Sequence, residues 1–288
     1  MKVGLFPGQG IPARVVLAAL PEADPLVARA SEALGFDLRA RVESVSRRQR
    51  SVLPTSLAQP AIFTASLISW NSQDGGCDVL AGHSLGEYTA LVAAEAMSFE
   101  HGLAVVEVRG QVMHSIASRS VGGMVALLDL AIDDYEDIAR ATGTVVANDN
   151  SPVQAVLAGS DDGIAQAAVA ARERGGRAVR LDVTGPFHTD AMAPAIPALR
   201  DVLDRVLIRS PKVPVISNVT ARPYRAPGEI RKLLLSQLVS RVRFREAMEH
   251  LWGRGVRDVV DFGPGRVVAG LATKTFDALG SRSEPVAS

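Results

Sequence analysis

The stretch Asp78-Val79-Leu80-Ala81-Gly82-His83-Ser84-Leu85-Gly86-Glu87-Tyr88 constrains this chain more than any other. An apolar run ends at Gly82, and a helical spacing (Leu85, Tyr88, Leu91, Val92) begins directly after the serine. The pattern is G-x-S-x-G set between a strand and a helix, the context that gives so short a motif meaning. Glycines permit a sharp turn and a close approach of backbones. The serine then stands on the turn, beside the first free N–H groups of a helix. Those groups and the helix dipole can stabilise a developing oxyanion.

The pattern around this motif predicts alternating strands and helices. Lys2 to Phe6 reads as a buried strand stopped by Pro7-Gly8-Gln9-Gly10. A helical region follows from about residue 15 to 41, punctuated by Pro21 and Pro25. The next helix runs from Gln59 to Trp70, opened by Pro60, and another spans Ser98 to about Ile116. Between residues 119 and 185 the order becomes β-α-β-β-α-β, the ferredoxin-like arrangement. Helices then alternate with strands at Val213–Ser217 and Val256–Phe262, and Gly263-Pro264-Gly265 precedes a last helix. The expected fold is α/β: a parallel-sheet core from residues 1–118 and 186–280, a small ferredoxin-like insert at 119–185, and a tail at 281–288 without order.

Charge and composition exclude several functions. The chain has 31 basic and 31 acidic side chains, which leaves no basic surplus for nucleic acid. The N-terminus turns to Gly-Gln-Gly too soon for a secretory signal, and no uncharged apolar run reaches the ~18–20 residues of a membrane span. One cysteine, Cys77, rules out an intramolecular disulfide and fits a reducing cytosol. A cytoplasmic protein without membrane contact is expected.

A serine hydroxyl needs a base before it can attack. Of the five histidines, His83 adjoins Ser84 and reads as a packing residue; His101 and His250 lie in charged helical segments. His114 has no assigned role. His188, in Gly185-Pro186-Phe187-His188, sits where the insert ends, a place that can hold a base over a nucleophile. No acid presents itself as a third member, so a Ser-His pair with a backbone carbonyl holding the imidazole is expected. Arg109, in an apolar helical stretch, either snorkels to the surface or points into a cavity, where its fork could grip a carboxylate.

With these segments in place the chain resembles the malonyl-CoA:acyl-carrier-protein transacylases, which include discrete acyltransferases serving fatty-acid and polyketide synthases. The resemblance is carried by Phe6–Gly10, Gln59-Pro60-Ala61, Gly82–Tyr88, Arg109-Gly110, Asn148–Pro152, Gly185–His188, Pro214–Asn218 and Gly263–Gly265. It implies an α/β-hydrolase-like core with a ferredoxin-like insert. It implies Ser84 as the acylated nucleophile, His188 as base, and the backbone N–H groups of Gln9 and Leu85 as the oxyanion hole. Arg109 would bind the malonyl carboxylate, Met113 would line the acyl pocket, Asn148 would lie near the cleft, and the Arg243 carbonyl would orient His188. Phe187 resembles malonyl-selective members, its ring leaving little room for an α-methyl. Malonyl-CoA is then a substrate, no cofactor or metal is implied, and the partner is an acidic acyl carrier protein bearing phosphopantetheine. A monomer is implied. Arg47, Arg48, Arg50, Arg172, Arg174 and Arg177 are candidate contacts for that partner or plain solvated charges. Two departures stand out: Ile11-Pro12 replaces the usual Ser-Gln, and Arg243 stands where relatives often carry glutamine. The rivals are a hydrolase clearing misloaded carriers, against which Arg109 speaks, and a docking subunit with a relict cleft.

Overall fold

The computed structural model describes residues 1–47, 52–73, 76–183 and 185–281; the tail expected at 281–288, apart from Ser281, and two of the basic candidates, Arg48 and Arg50, lie outside them. Strand β1 (Lys2–Phe6) is buried beyond its first residue. The punctuated region after it divides into α1 (Ala13–Ala18), α2 (Pro25–Leu34) and α3 (Leu38–Arg47). The breaks have local causes. Asp24 accepts from the Leu26 N–H at 2.8 Å, Pro25 opens α2, and Gly35 ends it in the left-handed region at φ 71°. Helix α4 (Thr55–Asn71) begins earlier than expected, so Pro60 lies inside it rather than at its start. Pro54 takes the N-cap position, and burial of Leu57, Ala58, Gln59 and Ala61 carries the helix through Pro60, which forfeits one backbone hydrogen bond.

Next come β2 (Val79–Gly82), α5 (Leu85–Ala93) and α6 (Phe99–Ala117). The insert contributes β3 (Gly123–Leu128), α7 (Ile132–Thr142), β4 (Val145–Ser151), β5 (Gln154–Gly159), α8 (Asp161–Glu173) and β6 (Arg177–Arg180). A 3-10 turn at Asp190–Ala195 leads into α9 (Ile196–Arg205), β7 (Val215–Ile216), α10 (Pro227–Gln237) and β8 (Val242–Arg243). The chain closes with α11 (Phe244–Gly253), β9 (Asp258–Asp261) and α12 (Val267–Gly280).

The core sheet runs β7-β2-β1-β9, all parallel. It is covered on both faces, as parallel sheets require. Phe6 and Leu80 join one apolar cluster with residues of α4, α5 and α6; Val3, Leu5, Val79 and Ala81 alternate to the other face and pack with α11 and α12. Register pairs Phe6 with Gly82 and Leu5 with Asp261. The loops after β1, β2 and β9 therefore leave the sheet side by side, at the carboxyl ends where such sheets place their ligands.

The second sheet has the order β6-β3-β5-β4-β8. Within the insert the pairings are antiparallel in ferredoxin-like order, while β8 joins β4 in parallel. The sheet thus extends past the expected limits of 119–185, because the main chain lends it an edge strand. No helix among the described residues is long and apolar enough to cross a membrane.

Candidate active site

Ser84 sits between β2 and α5 with φ 52° and ψ −104°, a conformation costly for a side-chain-bearing residue. The flanking glycines make it possible. A Cβ on Gly82 would lie 1.9 Å from the Gly86 carbonyl carbon, and one on Gly86 would lie 2.0 Å from the Phe6 oxygen. Neither contact can exist, so β1, β2 and α5 close on each other only where there is no side chain. The turn aims Ser84 away from the sheet. Leu85 is the first residue of α5, so its N–H has no carbonyl one turn earlier to bond.

Ser84 Oγ lies 2.8 Å from His188 Nε2 and 3.0 Å from Arg109 Nη2. Three residues far apart in sequence meet at one oxygen. His188 is buried, has a positive φ of 60°, and places its Nδ1 2.9 Å from the Gln237 carbonyl oxygen. A carbonyl can only accept, so Nδ1 carries the hydrogen and Nε2 is free to accept from the serine. Burial, then the Arg109 charge, pull the His188 pKa down to about 3. The imidazole is neutral at neutral pH, as a base must be.

The carbonyl that holds His188 is therefore that of Gln237 and not that of Arg243. Gln237 ends α10, so its carbonyl has no helical partner and is available. Arg243 lies in β8, paired opposite Asp149; its N–H donates to the Asn218 carbonyl at 2.9 Å and its side chain to Glu246 at 2.8 Å.

Arg109 does not snorkel. It is 1% exposed, and Nη1 donates to Gln59 Oε1 at 2.7 Å while Nη2 donates to Gln237 Oε1 at 3.0 Å. Its guanidinium lies over the Tyr88 ring, 5.1 Å from the centroid. No carboxylate is among these partners. Burial lowers the guanidinium pKa, yet an arginine stays charged. Its direct hydrogen-bond partners are neutral amide oxygens and the serine hydroxyl, while Tyr88 and the Glu87 carboxylate offset part of the burial.

A cleft of about 410 Å³ opens over Ser84, walled on one side by the core and on the other by the insert sheet. Gln9, Met113, Asn148 and Phe187 all line it. Ile11, at the departure from the family pattern, is buried and lines it too. His83 packs at 5.6 Å from the Phe244 ring, as a packing residue should, but it also faces the cleft and meets Asn150 Oδ1 at 2.7 Å. Of the basic candidates, Arg47, Arg174 and Arg177 are tied to Glu43, Asp134 and Asp129 in exposed ion pairs.

Four supporting side chains had no role in the sequence reading. Gln59 and Gln237 bracket Arg109. Asn218 Oδ1 accepts the Ser84 N–H at 2.7 Å, and Glu87 is fully buried beneath the turn. Their signal is a polar residue inside an apolar helical face, as with Gln59 before Pro60-Ala61-Ile62 and Gln237 between Leu235 and Leu238. Buried polar groups need partners, so each such residue points to a network.

A family model described as the acyl transferase domain matches residues 13–287. A malonyl CoA-acyl carrier protein transacylase of Bacillus subtilis is 37% identical over 283 residues, covering 94% of this chain and 89% of the relative. The Escherichia coli K12 protein of the same name is 35% identical, covering 96% of this chain and 93% of its own. Among solved structures, an acyl carrier protein S-malonyltransferase from Vibrio cholerae superposes with a TM-score of 0.86 at 35% identity, over 96% of this chain and 94% of the other. A malonyl-transacylase solved with its type II PKS acyl-carrier protein gives 0.84 at 32%, over 96% and 93%. With a serine elbow and a neutral histidine on one cleft, a buried arginine bonded to that serine, and similarity along nearly the whole chain, this protein belongs to the acyl transferase domain family.

Proposed function

We propose that the chain transfers a malonyl group from CoA to the phosphopantetheine thiol of an acyl carrier protein serving fatty-acid or polyketide synthesis. The observation that carries this reading is the meeting of Ser84 Oγ with His188 Nε2 at 2.8 Å and Arg109 Nη2 at 3.0 Å. A malonyl carboxylate entering the cleft would supply the anion that Arg109 lacks, through two charge-assisted hydrogen bonds. His188 takes the Ser84 proton as the oxygen attacks the thioester carbon. The developing oxyanion is received by the N–H groups of Gln9 and Leu85, and return of the proton to sulfur releases CoA. The carrier's thiol then attacks the malonyl-serine by the same steps in reverse. The net reaction exchanges one thioester for another, and the scheme calls on no cofactor.

Met113 and Phe187 narrow the acyl end of the cleft, which favours malonyl over an α-methyl homologue; one methyl is worth about 1–3 kcal/mol there. We propose a cytosolic monomer, as the family resemblance implies. The test is intact-protein mass spectrometry after mixing with malonyl-CoA, then with a holo carrier protein. One malonyl adduct, absent in Ser84→Ala and discharged by the carrier, is expected. No adduct overturns the transferase reading, and discharge to water alone favours the hydrolase.

A further inference from the structure

Beneath the nucleophile turn lies a carboxylate that the reaction scheme does not use. Glu87, on the first turn of α5, is 0% exposed. Its Oε1 accepts from the Asn218 N–H at 3.0 Å and from the Tyr224 hydroxyl, and its Oε2 accepts from Gln237 Nε2. All of these neighbours donate to it. Gln237 Nε2 also donates to the Ser84 carbonyl at 3.0 Å, which leaves Gln237 Oε1 facing Arg109 Nη2 at 3.0 Å.

A primary amide has one accepting and one donating end. Turned over, Gln237 would set its oxygen against the Glu87 carboxylate and the Ser84 carbonyl, and its NH2 against the guanidinium. Both ends would then meet groups of their own kind, in a dry site where such mismatches are expensive. The orientation that serves Arg109 is thus the one an ionised acceptor at residue 87 enforces. Burial raises the Glu87 pKa and the surrounding donors oppose it, with a net value of about 7.

We infer that Glu87 is a positioning residue: its carboxylate fixes the Gln237 side-chain amide, and through it the direction in which Arg109 offers its N–H groups to the acyl carboxylate. The inference rests on the malonyl-transfer reading. It assigns malonyl preference in part to a residue that touches no substrate.

The experiment compares kcat/KM for malonyl-CoA and acetyl-CoA in the full chain, normalised to folded protein by circular dichroism. Glu87→Gln should lower the malonyl-to-acetyl ratio by at least roughly tenfold, because acetyl does not use Arg109. Gln237→Met should do the same, and the double variant should fall within about threefold of the worse single one, since both break one chain of contacts. Tyr224→Phe leaves Oε2 and its amide partner in place and should keep the ratio. A purely structural role would lower both substrates together. A Glu87→Gln ratio within about threefold of wild type, or effects that multiply in the double variant, overturns the inference. If Glu87→Gln yields no folded protein, retention of the ratio by Gln237→Met overturns it alone. Absence of any malonyl adduct in the wild-type chain would instead strike the transferase reading, so the two failures are distinguishable.

Discussion

Arg109→Ala removes a buried cation whose N–H groups rest on two amide oxygens and on Ser84 Oγ. Only a negative acyl tail gains from that cation. The variant should lose roughly 100-fold in kcat/KM for malonyl-CoA, about 2.7 kcal/mol, while acetyl loading is spared or raised. Equal losses on both substrates would contradict the assigned role. His188→Ala should slow malonyl loading by on the order of 10²–10⁴-fold. The pH dependence follows from burial. With its pKa at about 3, His188 stays neutral through the working range, so acetyl loading, which does not use Arg109, should show no acid limb near 6.5, and an acid limb of malonyl loading near 7 belongs to Glu87. For stability the sign runs the same way. The unfolded chain takes up this proton near 6.5 and the folded chain only near 3, so the contribution of His188 is lost as pH falls between those values. Glu87, with its folded pKa raised to about 7, acts oppositely: its contribution is present at low pH and fades as pH rises towards 7. The difference in urea midpoint between wild type and His188→Asn, followed from pH 7 to 5, isolates the histidine. A difference that does not change with pH would contradict a buried neutral imidazole.

At the level of elements, the strand–turn–helix unit β2–Ser84–α5 holds because three backbones touch. Gly86→Ala puts a Cβ 2.0 Å from the Phe6 oxygen, so the variant should lose at least about 3 kcal/mol in urea unfolding or fail to fold. A wild-type midpoint would contradict the close approach. This unit was legible beforehand, since apolar alternation, two glycines and a helical spacing lie within one short stretch. The insert was legible for the same reason: acidic helix starts at Asp133 and Asp161 separate clear strands. The early start of α4 was not, because Pro60 is a strong local signal that burial overrides. The carbonyl holding His188 was also illegible. Which backbone oxygen is left over at the end of α10 depends on where that helix stops, and boundaries are the least certain part of a pattern. Gln237 and Glu87 were hidden in apolar helical faces, where spacing says what is buried but not what it bonds.

Across the whole molecule, the cleft exists only where core and insert meet, and few groups set their angle. Strand β8 stitches the insert sheet to the main chain, and Arg245 of α11 grips Asp149 of β4 with hydrogen bonds of 2.8 and 2.7 Å. Both side chains are nearly buried, at 13% and 11% exposure. Arg245 keeps a second carboxylate, Glu249, at 2.7 Å, so Asp149→Asn should cost about 1.5 kcal/mol, the loss of charge-assisted hydrogen bonds, and speed amide exchange in β4. Unchanged exchange would mean that β8 alone fixes the insert. Sedimentation of the full chain should give the mass of one copy; a stable dimer would contradict the proposed monomer. The most direct test is a competition in which wild-type protein meets equal malonyl-CoA and acetyl-CoA, with the acylated peptide mapped by mass spectrometry. The expected result is malonyl in large excess on Ser84, with that excess lost in Arg109→Ala. Acyl groups on another residue, or an acetyl share equal to malonyl in wild type, would contradict it.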